Sequence, residues 1–332
     1  MPENPPGLDL ARLQAHLGTG PLRAELIEGG RSNLTYRLTD GAERWVLRRP
    51  PLGHVLATAH DMGREFRVLS GLHGSAVPVP RPLRLTEDPE VIGAPFYLME
   101  FVDGTAHRDA GALAAIGPQR VRALGEHLVD TLVALHAIDP SEVGLADFGR
   151  PEGFLARQLQ RWGKQLDASR SREVPGIDEL RDRLAATLPD SPAPALVHGD
   201  YRLDNVLVGP DDRITAVLDW EMSTLGDPLT DLGLLVMYTQ LAGRFAGVIP
   251  GVALAPGFPD SAELVERYTA GSARDTAAVD WYVAFASFKL AVVLEGIHFR
   301  FQQGRTVGTG FDRVGELVPI FVQHGLAALK ER

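Results

Sequence analysis

The hydrophobic period of the chain changes near residue 102, and that change restricts the fold more than any other feature. Before it, "LRAELIEGG", "LTYRLTDGAERWVLRR", "PLRLTEDPEVIG" and "APFYLMEFV" are short, β-rich runs separated by turn residues, with a hairpin signal at Asp40-Gly41. One helical stretch, "HDMGREFRVLSGL", interrupts them. It places Met62, Phe66, Leu69 and Leu72 on one face, with Gly71 or Gly74 to end it. After Val102-Asp103-Gly104, the stretches "VRALGEHLVDTLVALHAI", "FLARQLQRWGKQL" and "DELRDRLAATL" follow helical spacing. Strand character returns only at "NVLV" and "ITAVLDW", and from Asp227 the chain reads as helical outside a Gly/Pro-rich loop at 247–259. The pattern predicts an α+β, bilobal chain. A small β-rich lobe spans 1–102, a larger and mainly helical lobe spans 103–332, and a connector near 99–103 joins them.

Composition narrows the partners. The net charge of −10 gives no global attraction to nucleic acid or to an anionic membrane. No cysteine is present, which excludes disulfides, thiol nucleophiles and cysteine metal sites and fits a reducing cytoplasm. "MPENPPGLDL" lacks the basic and apolar regions of a signal peptide. "WYVAFASFKLAVVLEGIHF" is broken by Lys289 and Glu295 and reads as a buried helix, not a membrane span. The expectation is a cytoplasmic protein whose partner is a small molecule. Of the 33 basic residues only Lys164, Lys289 and Lys330 are lysine, so arginine at any one site carries little information about choice.

The stretch "HGDYRLDNVLV", His198 to Val208, concentrates polar chemistry just before an apolar strand. Gly, Asp and Asn are ordinary turn residues, and alone the stretch reads as a polar turn. Its neighbour alters that. "NVLV", the turn "GPDDR" and "ITAVL" form a hairpin, and pairing Val208 with Ile214 sets Leu203 opposite Asp219. Asn205 and Asp219 then emerge at the same end of the ribbon, on strands about 4.8 Å apart. Asp200 sits on the loop beside them. Mg²⁺ prefers oxygen ligands and keeps phosphates in its shell. An amide and a carboxylate to hold the metal, with a second carboxylate to orient a hydroxyl, meet the needs of phosphoryl transfer.

His198-Gly199-Asp200 followed by Asn205 resembles the catalytic loop of the aminoglycoside phosphotransferase and choline-kinase-like branch of the protein-kinase fold, which carries H-G-D where protein kinases carry H-R-D. Asp219 in "LDWE" matches the metal-binding aspartate of the D-F-G element, and "GDPLTDLG" resembles the segment that follows, whose Asp231 would brace the loop at His198. The resemblance implies ATP, or GTP in its place, as phosphoryl donor and Mg²⁺ as metal. It assigns Asp200 as the catalytic residue and Asn205 with Asp219 as metal ligands. Asp204 is left as a loop residue.

The same resemblance places the N-lobe parts. "EGGRSNLTYRL" stands where a phosphate-covering loop belongs, with Gly29, Gly30, Ser32 and Asn33 as donors. Read alone, that stretch is a hairpin turn. "WVLR" matches V-A-I-K and puts Arg48 where the family usually has lysine, with Glu65 as its partner and Arg49 as a rival. Arginine can hold phosphate bidentately but is bulkier and planar. "FYLMEFVDG" matches a hinge, with Met99 as gatekeeper and Glu100 and Val102 offering main-chain groups to adenine.

Acceptor candidates are Trp220, Glu221, Tyr238 and Lys289, with Arg161, Glu295, His298 and Arg300 as further polar residues on apolar helices. For each, a solvated or ion-paired helix residue is the commoner role. Lys289 stands out because a lone charge in an apolar helix must find a partner. His136 is read as satisfying a helix end. "VLRRPPLGHVLATAHDMGREFRVL", "VPVPRP" and "LDWEMSTLGDPLTDLG" together resemble the kinase-like domains fused to acyl-CoA dehydrogenases and their free-standing bacterial relatives, in which Arg at position 48 is familiar. That resemblance implies phosphorylation of a hydroxyacyl-CoA or related hydroxy acid, and a functional link to an acyl-CoA dehydrogenase. Three other readings compete: an aminoglycoside or amino-alcohol kinase, a pseudokinase that binds nucleotide without transfer, and a metallohydrolase using His198, Asp200 and Asp219. A polycationic drug would need a carboxylate-rich pocket, the intact Asp200, Asn205 and Asp219 set opposes the second, and no second histidine supports the third.

Overall fold

Alternating burial builds the N-terminal sheet. The structure is a computed structural model that describes residues 4–27, 33–52, 61–244, 251–304, 311 and 313–330. Helix α1 (Leu10–Leu17) is capped by Asp9, whose side chain accepts from the Arg12 N–H, and ends at Gly18 in the left-handed region. The strand reading of the first third omits this helix, whose signals bracket only two buried leucines, Leu10 and Leu13. Then come β1 (Arg23–Leu26), β2 (Leu34–Thr39), β3 (Arg44–Arg49), α2 (Met62–Leu72), β4 (Pro82–Thr86) and β5 (Phe96–Glu100). The five strands form one antiparallel sheet in the order β1-β2-β3-β5-β4.

Because successive side chains point to opposite faces, the sheet serves two cores. Tyr36, Leu38, Leu47, Phe96 and Leu98 pack with the α1 leucines. Val46, Tyr97 and Met99 join α2 and the core of the C-terminal lobe. Helix α2 runs past Gly71, which does not end it: a Cβ there would meet the Val143 carbonyl at 2.7 Å, so this glycine permits close packing. Gly74, at φ +84°, follows the helix end.

The chain after β5 is stapled down. Arg44 pairs bidentately with Asp103 and lies over the Phe101 ring. Thr105 and Val208 exchange main-chain hydrogen bonds of 2.9 and 3.0 Å, which lays the connector on the segment that follows residue 205. Gly104 allows this approach, since a Cβ there would stand 2.9 Å from the Leu207 Cβ.

The C-terminal part comprises α3 (Ala110–Ala114), α4 (Pro118–Ala137), α5 (Phe154–Ser169), α6 (Ile177–Ala186), β6 (Ala195–Val197), β7 (Val206–Val208), β8 (Ile214–Val217), β9 (Thr224–Gly226), α7 (Leu229–Gln240), α8 (Ser261–Ser272), α9 (Val279–Gln302) and α10 (Val314–Ala328). Strands β6 and β9 pair antiparallel on either side of the β7–β8 hairpin in sequence. The sequence reading recognised only the hairpin, whose strands are joined by a short turn, whereas β6 and β9 are three residues each, lie far apart in sequence and show no period. Helix α9 is long and apolar enough to cross a membrane, yet 67% of its apolar window is buried inside the protein. It is a core helix flanked by α7 and α10, as the interruption at Lys289 and Glu295 suggested.

Candidate active site

The β7–β8 hairpin carries a bulge that the sequence register did not foresee. Val208 faces Ile214 as expected, but the register shifts by one, so Val206 faces Val217. The Leu218 N–H then donates to the Asn205 carbonyl at 2.8 Å. Asp219 therefore follows directly on the residue paired with Asn205, rather than facing Leu203. It adopts φ 65° and ψ 61°, a left-handed conformation that a non-glycine residue rarely takes. Such strain persists where the surroundings impose it, and it turns Asp219 out of the strand at the end of the hairpin.

Asp200 is held on the preceding loop. The Asn205 Nδ2 donates to the Asp200 carbonyl (2.8 Å) and to its carboxylate Oδ2 (3.0 Å). That use of the amide nitrogen leaves Asn205 Oδ1 for a cation. The Tyr238 hydroxyl donates to the other carboxylate oxygen at 3.4 Å, and Arg202 Nε lies 3.5 Å from Oδ2. His198 organises the turn. Its Nδ1 accepts from the Asp200 N–H at 3.2 Å, and its Nε2–H donates to the Leu218 carbonyl at 2.8 Å. Gly199, at φ +86°, allows the loop to lie on Met222, whose carbonyl would meet a Cβ at 2.7 Å.

Asp231, at the start of α7, accepts from the His198 N–H at 2.7 Å and the Gly199 N–H at 2.8 Å. His136 does more than satisfy a helix end. Its buried ring sits between Asp231 (3.3 Å from Nε2) and the Tyr268 hydroxyl (2.8 Å from Nδ1). Burial holds the His136 pKa below its ordinary value against the pull of Asp231. Neutral His136, receiving from Tyr268 and donating to Asp231, fits both bonds. Burial pushes the Asp231 carboxyl up, but the His136 and main-chain donors outweigh it and leave the group below its usual range. A histidine in an apolar helix gave no sequence sign of this partner, about a hundred residues away.

Across the cleft, Arg48 on β3 reaches three carboxylates. Nε lies 2.9 Å from Glu65 Oε2, and Nη2 lies 2.5 Å from Asp219 Oδ1 and 3.9 Å from Glu221 Oε2. Burial opposes the charge on Arg48, and Glu65, with Asp219 among the lesser contributors, more than restores it. Glu65 also accepts from the Tyr97 hydroxyl (2.8 Å) and the Asn33 amide (3.0 Å), donors that fit its ionised form although burial pushes its pKa up. Arg49 is no rival. Its guanidinium is buried on the opposite side, donating to the Gly7, Pro50 and Ile92 carbonyls.

Asn33 is buried, and its amide bridges Glu65 and Glu221 (3.1 Å). Its side chain therefore ties the lobes together instead of pointing outward from a loop. Gly29, Gly30 and Ser32 lie outside the described residues. At the hinge position, Met99 is buried against the α2 core, while Glu100 donates its N–H to the Arg81 carbonyl and Val102 is half-buried.

The chemistry of the donor set fits Mg²⁺: an amide oxygen at Asn205 and a carboxylate at Asp219 are both hard oxygen ligands. Ligand atoms of Glu65, Asp219 and Glu221 also converge within 4.8 Å, with Arg48 supplying the positive charge among them.

Next to the loop at Gly199 lies a cavity of about 310 Å³ walled by α5, α7, α9, the residues after Asp219 and the start of α2. Lys289 and Arg161 line it. Glu221 sits at the wall nearest Arg48. Trp220 does not line it: that ring is buried, packs at a tilt against His198 with centroids 4.6 Å apart, and donates Nε1–H to the Val217 carbonyl. Tyr238 lies instead against Arg202 beside Asp200. Glu295, buried and paired with Arg172, is a structural ion pair, and neither His298 nor Arg300 reaches the cavity. Asp204 is a loop residue with a partner, Arg202 at 3.0 Å.

Sequence reading missed Tyr97, Arg64 and Arg202. Arg64 lies over the Phe148 ring at 3.8 Å and donates to the Phe148 (2.7 Å) and Ser223 (3.1 Å) carbonyls, tying α2 to the C-terminal lobe. Surface arginines are common in this chain, and nothing local marked Arg64 and Arg202 as half-buried.

Comparison with known proteins agrees with this geometry. A sequence profile described as the phosphotransferase enzyme family matches residues 23–282. Acyl-CoA dehydrogenase family member 11 of Gallus gallus is 34% identical over 319 residues, covering 94% of this chain and 41% of that protein. The Homo sapiens protein of the same name is 32% identical over 306 residues, covering 91% and 39%. The chain thus spans about two-fifths of the length of these relatives. A solved structure from Ralstonia eutropha JMP134, provisionally named an aminoglycoside phosphotransferase, superposes with a TM-score of 0.84 at 34% identity, covering 97% of this chain and 98% of that one. A mutant of the aminoglycoside phosphotransferase APH(4)-Ia, in complex with ADP and hygromycin B, shares the fold at a TM-score of 0.67 and 16% identity, covering 97% of each chain. On the profile match and these relatives, the chain belongs to the phosphotransferase enzyme family, with the α+β kinase-like fold.

Proposed function

We propose that the protein transfers the γ-phosphoryl group of ATP to a hydroxyl of a small molecule, a hydroxyacyl-CoA or related hydroxy acid. The observation that carries this reading is the grip on Asp200. Asn205 fixes one carboxylate oxygen and Tyr238 reaches the other, while Asp219 and Arg48 face each other at the end of the same hairpin.

Asp200 orients the acceptor hydroxyl and accepts its proton as the oxygen attacks the γ-phosphorus. A P–O bond forms to the acceptor, the bond to the β–γ bridging oxygen breaks, and ADP leaves. Mg²⁺, held by Asn205 and Asp219, would neutralise charge on the phosphates. Arg48, braced by Glu65, positions the α- and β-phosphates. The main chain of Glu100 and Val102 receives adenine next to Met99. In this reading the lobes divide at residue 102, where the connector is pinned by Arg44 and Thr105.

One observation supports an acyl acceptor: the relatives are named as acyl-CoA dehydrogenases. The test is incubation with Mg-ATP and a panel of hydroxy acids, hydroxyacyl-CoAs, amino alcohols and aminoglycosides, with phosphorylated product read by mass spectrometry. Product from the acyl compounds is expected. Product from aminoglycosides or amino alcohols alone would overturn the acceptor assignment, and none from any compound would overturn the transferase reading.

A further inference from the structure

Burial alternates along the five residues that begin at Asp200. Tyr201 and Leu203 are buried, and the Tyr201 hydroxyl donates to the Leu128 carbonyl at 2.8 Å, whereas Asp200, Arg202 and Asp204 are half-buried. Arg202 is extended, at φ −165° and ψ 164°, and in extended chain successive side chains point to opposite sides. Anchoring Tyr201 and Leu203 in the core therefore leaves Arg202 facing the two carboxylates that stand two residues to either side of it.

The guanidinium lies between them. Its Nη2 stands 3.0 Å from Asp204 Oδ2 and its Nε 3.5 Å from Asp200 Oδ2. That Nε is buried and makes no hydrogen bond among the described residues. A buried donor without a partner is costly, so its place beside Asp200 is imposed by what holds the rest of the group. Asp204, its side chain 9% exposed, takes Nη2. The Tyr238 ring centroid lies 5.1 Å from the guanidinium carbon, and the Tyr238 hydroxyl reaches the other Asp200 oxygen. Leu128, Leu235 and Phe258 close off the far side around a space of about 20 Å³, room for no more than a water molecule. Burial opposes the charge on Arg202, and Asp200, first among its neighbours, more than restores it.

We propose that Arg202 is a positioning residue for the Asp200 carboxylate, and that Asp204 and the Tyr238 ring act through it. The proposal rests on the transferase reading of Asp200. Asp204 matches the charge of the guanidinium, so Arg202 aims Asp200 without cancelling its negative charge. Asn205 and Tyr238 each contact one Asp200 oxygen, and Arg202 approaches the oxygen that Asn205 already holds. The carboxylate is thereby limited in rotation, which keeps one oxygen directed at an acceptor hydroxyl. Asp204 is then more than a loop residue, although it touches no reacting group.

The experiment measures kcat and KM of the full chain with whichever compound of the panel it phosphorylates. Arg202→Ala should lower kcat by ~10²-fold, the scale of a misplaced reacting group. The KM values for ATP and for the acceptor should stay within about twofold. Arg202→Lys keeps the charge but can serve only one carboxylate, so it should recover no more than part of the loss. Asp204→Asn should lower kcat less, and should add nothing to Arg202→Ala. If Arg202→Ala does not fold, Arg202→Lys and Asp204→Asn carry the test, and native kcat in both would overturn the proposal. In an Asp200→Asn background, Arg202→Ala should cost no further turnover, because its effect passes through that carboxylate. A full further loss there would overturn the positioning role, as would native kcat in Arg202→Ala. A KM for ATP raised ~10-fold or more would also overturn it, by placing the guanidinium on the phosphates. Crystal structures of the native chain and of Arg202→Ala, or of Asp204→Asn in its place, separate this role from the transferase reading. If the native chain phosphorylates no compound and the Asp200 carboxylate turns away in the variant, the positioning role stands and the transferase reading is removed. An Asp200 carboxylate that does not move removes the positioning role.

Discussion

The Arg48 guanidinium stands 2.5 Å from the Asp219 carboxylate, joining the third strand of the N-terminal sheet to the end of the β7–β8 hairpin. The same side chain holds Glu65 at 2.9 Å, so one planar cation spans two carboxylates from different elements. A lysine ammonium is a point donor and cannot keep both contacts in that geometry. Arg48→Lys should weaken Mg-ADP binding by roughly 10-fold, about the loss of one charged hydrogen bond. Adding Glu65→Gln should cost less than the two single changes summed, because both act through one contact. Calorimetric titration of the four proteins checks this, and full additivity would count against a shared role.

Asp200→Asn keeps the size and most hydrogen bonds of the loop but removes the proton acceptor. Turnover should fall by ~10² or more. Mg-ADP affinity should stay within about twofold, since no nucleotide contact is assigned to this carboxylate. Near-native turnover in this variant would remove Asp200 from the mechanism.

Asp219→Ala should separate metal from nucleotide. Without its carboxylate, Asn205 is left as the remaining ligand in the set, and added Mg²⁺ should no longer strengthen ADP binding. Titrations with and without the metal read this directly. A retained magnesium effect would place the ion elsewhere.

His136 has a structural consequence distant from the cleft. Replacing it by Phe leaves Asp231 and Tyr268 buried without their shared partner. Urea denaturation should show a loss of about 1–3 kcal/mol, the usual cost of an unsatisfied buried group. Because Asp231 holds the His198 and Gly199 amides, turnover should fall with stability. A variant as stable as the native chain would show that His136 only fills space.

His324 on α10 titrates in an informative range. Burial, with Arg244 nearby, lowers its pKa from 6.5 to about 4. Neutral His324 pairs with Ser287 at 2.8 Å and Gln240 at 3.0 Å, linking α10 to α9 and α7. Between those two pKa values the unfolded chain binds the extra proton, so the His324 contribution is complete above pH 6.5 and lost as pH falls through about 4. Thermal midpoints should drop over that window, and His324→Gln should flatten the slope. Identical slopes would assign the pH dependence to other groups.

Local sequence determined most of the elements and their order, though not α1, β6 or β9. The switch from two-residue to 3.6-residue periodicity separated the sheet from the helices, and the spacing of Asp200, Asn205 and Asp219 exposed the catalytic hairpin, because each depends on neighbours within about twenty residues. Tertiary structure alone decided which arginine enters the cleft. Arg48 and Arg49 are adjacent and chemically identical, and only the facing of β3 turns one toward Glu65 and Asp219 and buries the other under Gly7 and Ile92. It likewise decided that Trp220 is core, that His136 supports Asp231 and that Lys289 meets the Gly199 carbonyl. The Arg48–Asp219, His136–Asp231 and Lys289–Gly199 contacts join residues 90 to 171 positions apart. Period and composition report which face of an element is apolar, whereas the identity of the partner across it is fixed only when the helices pack.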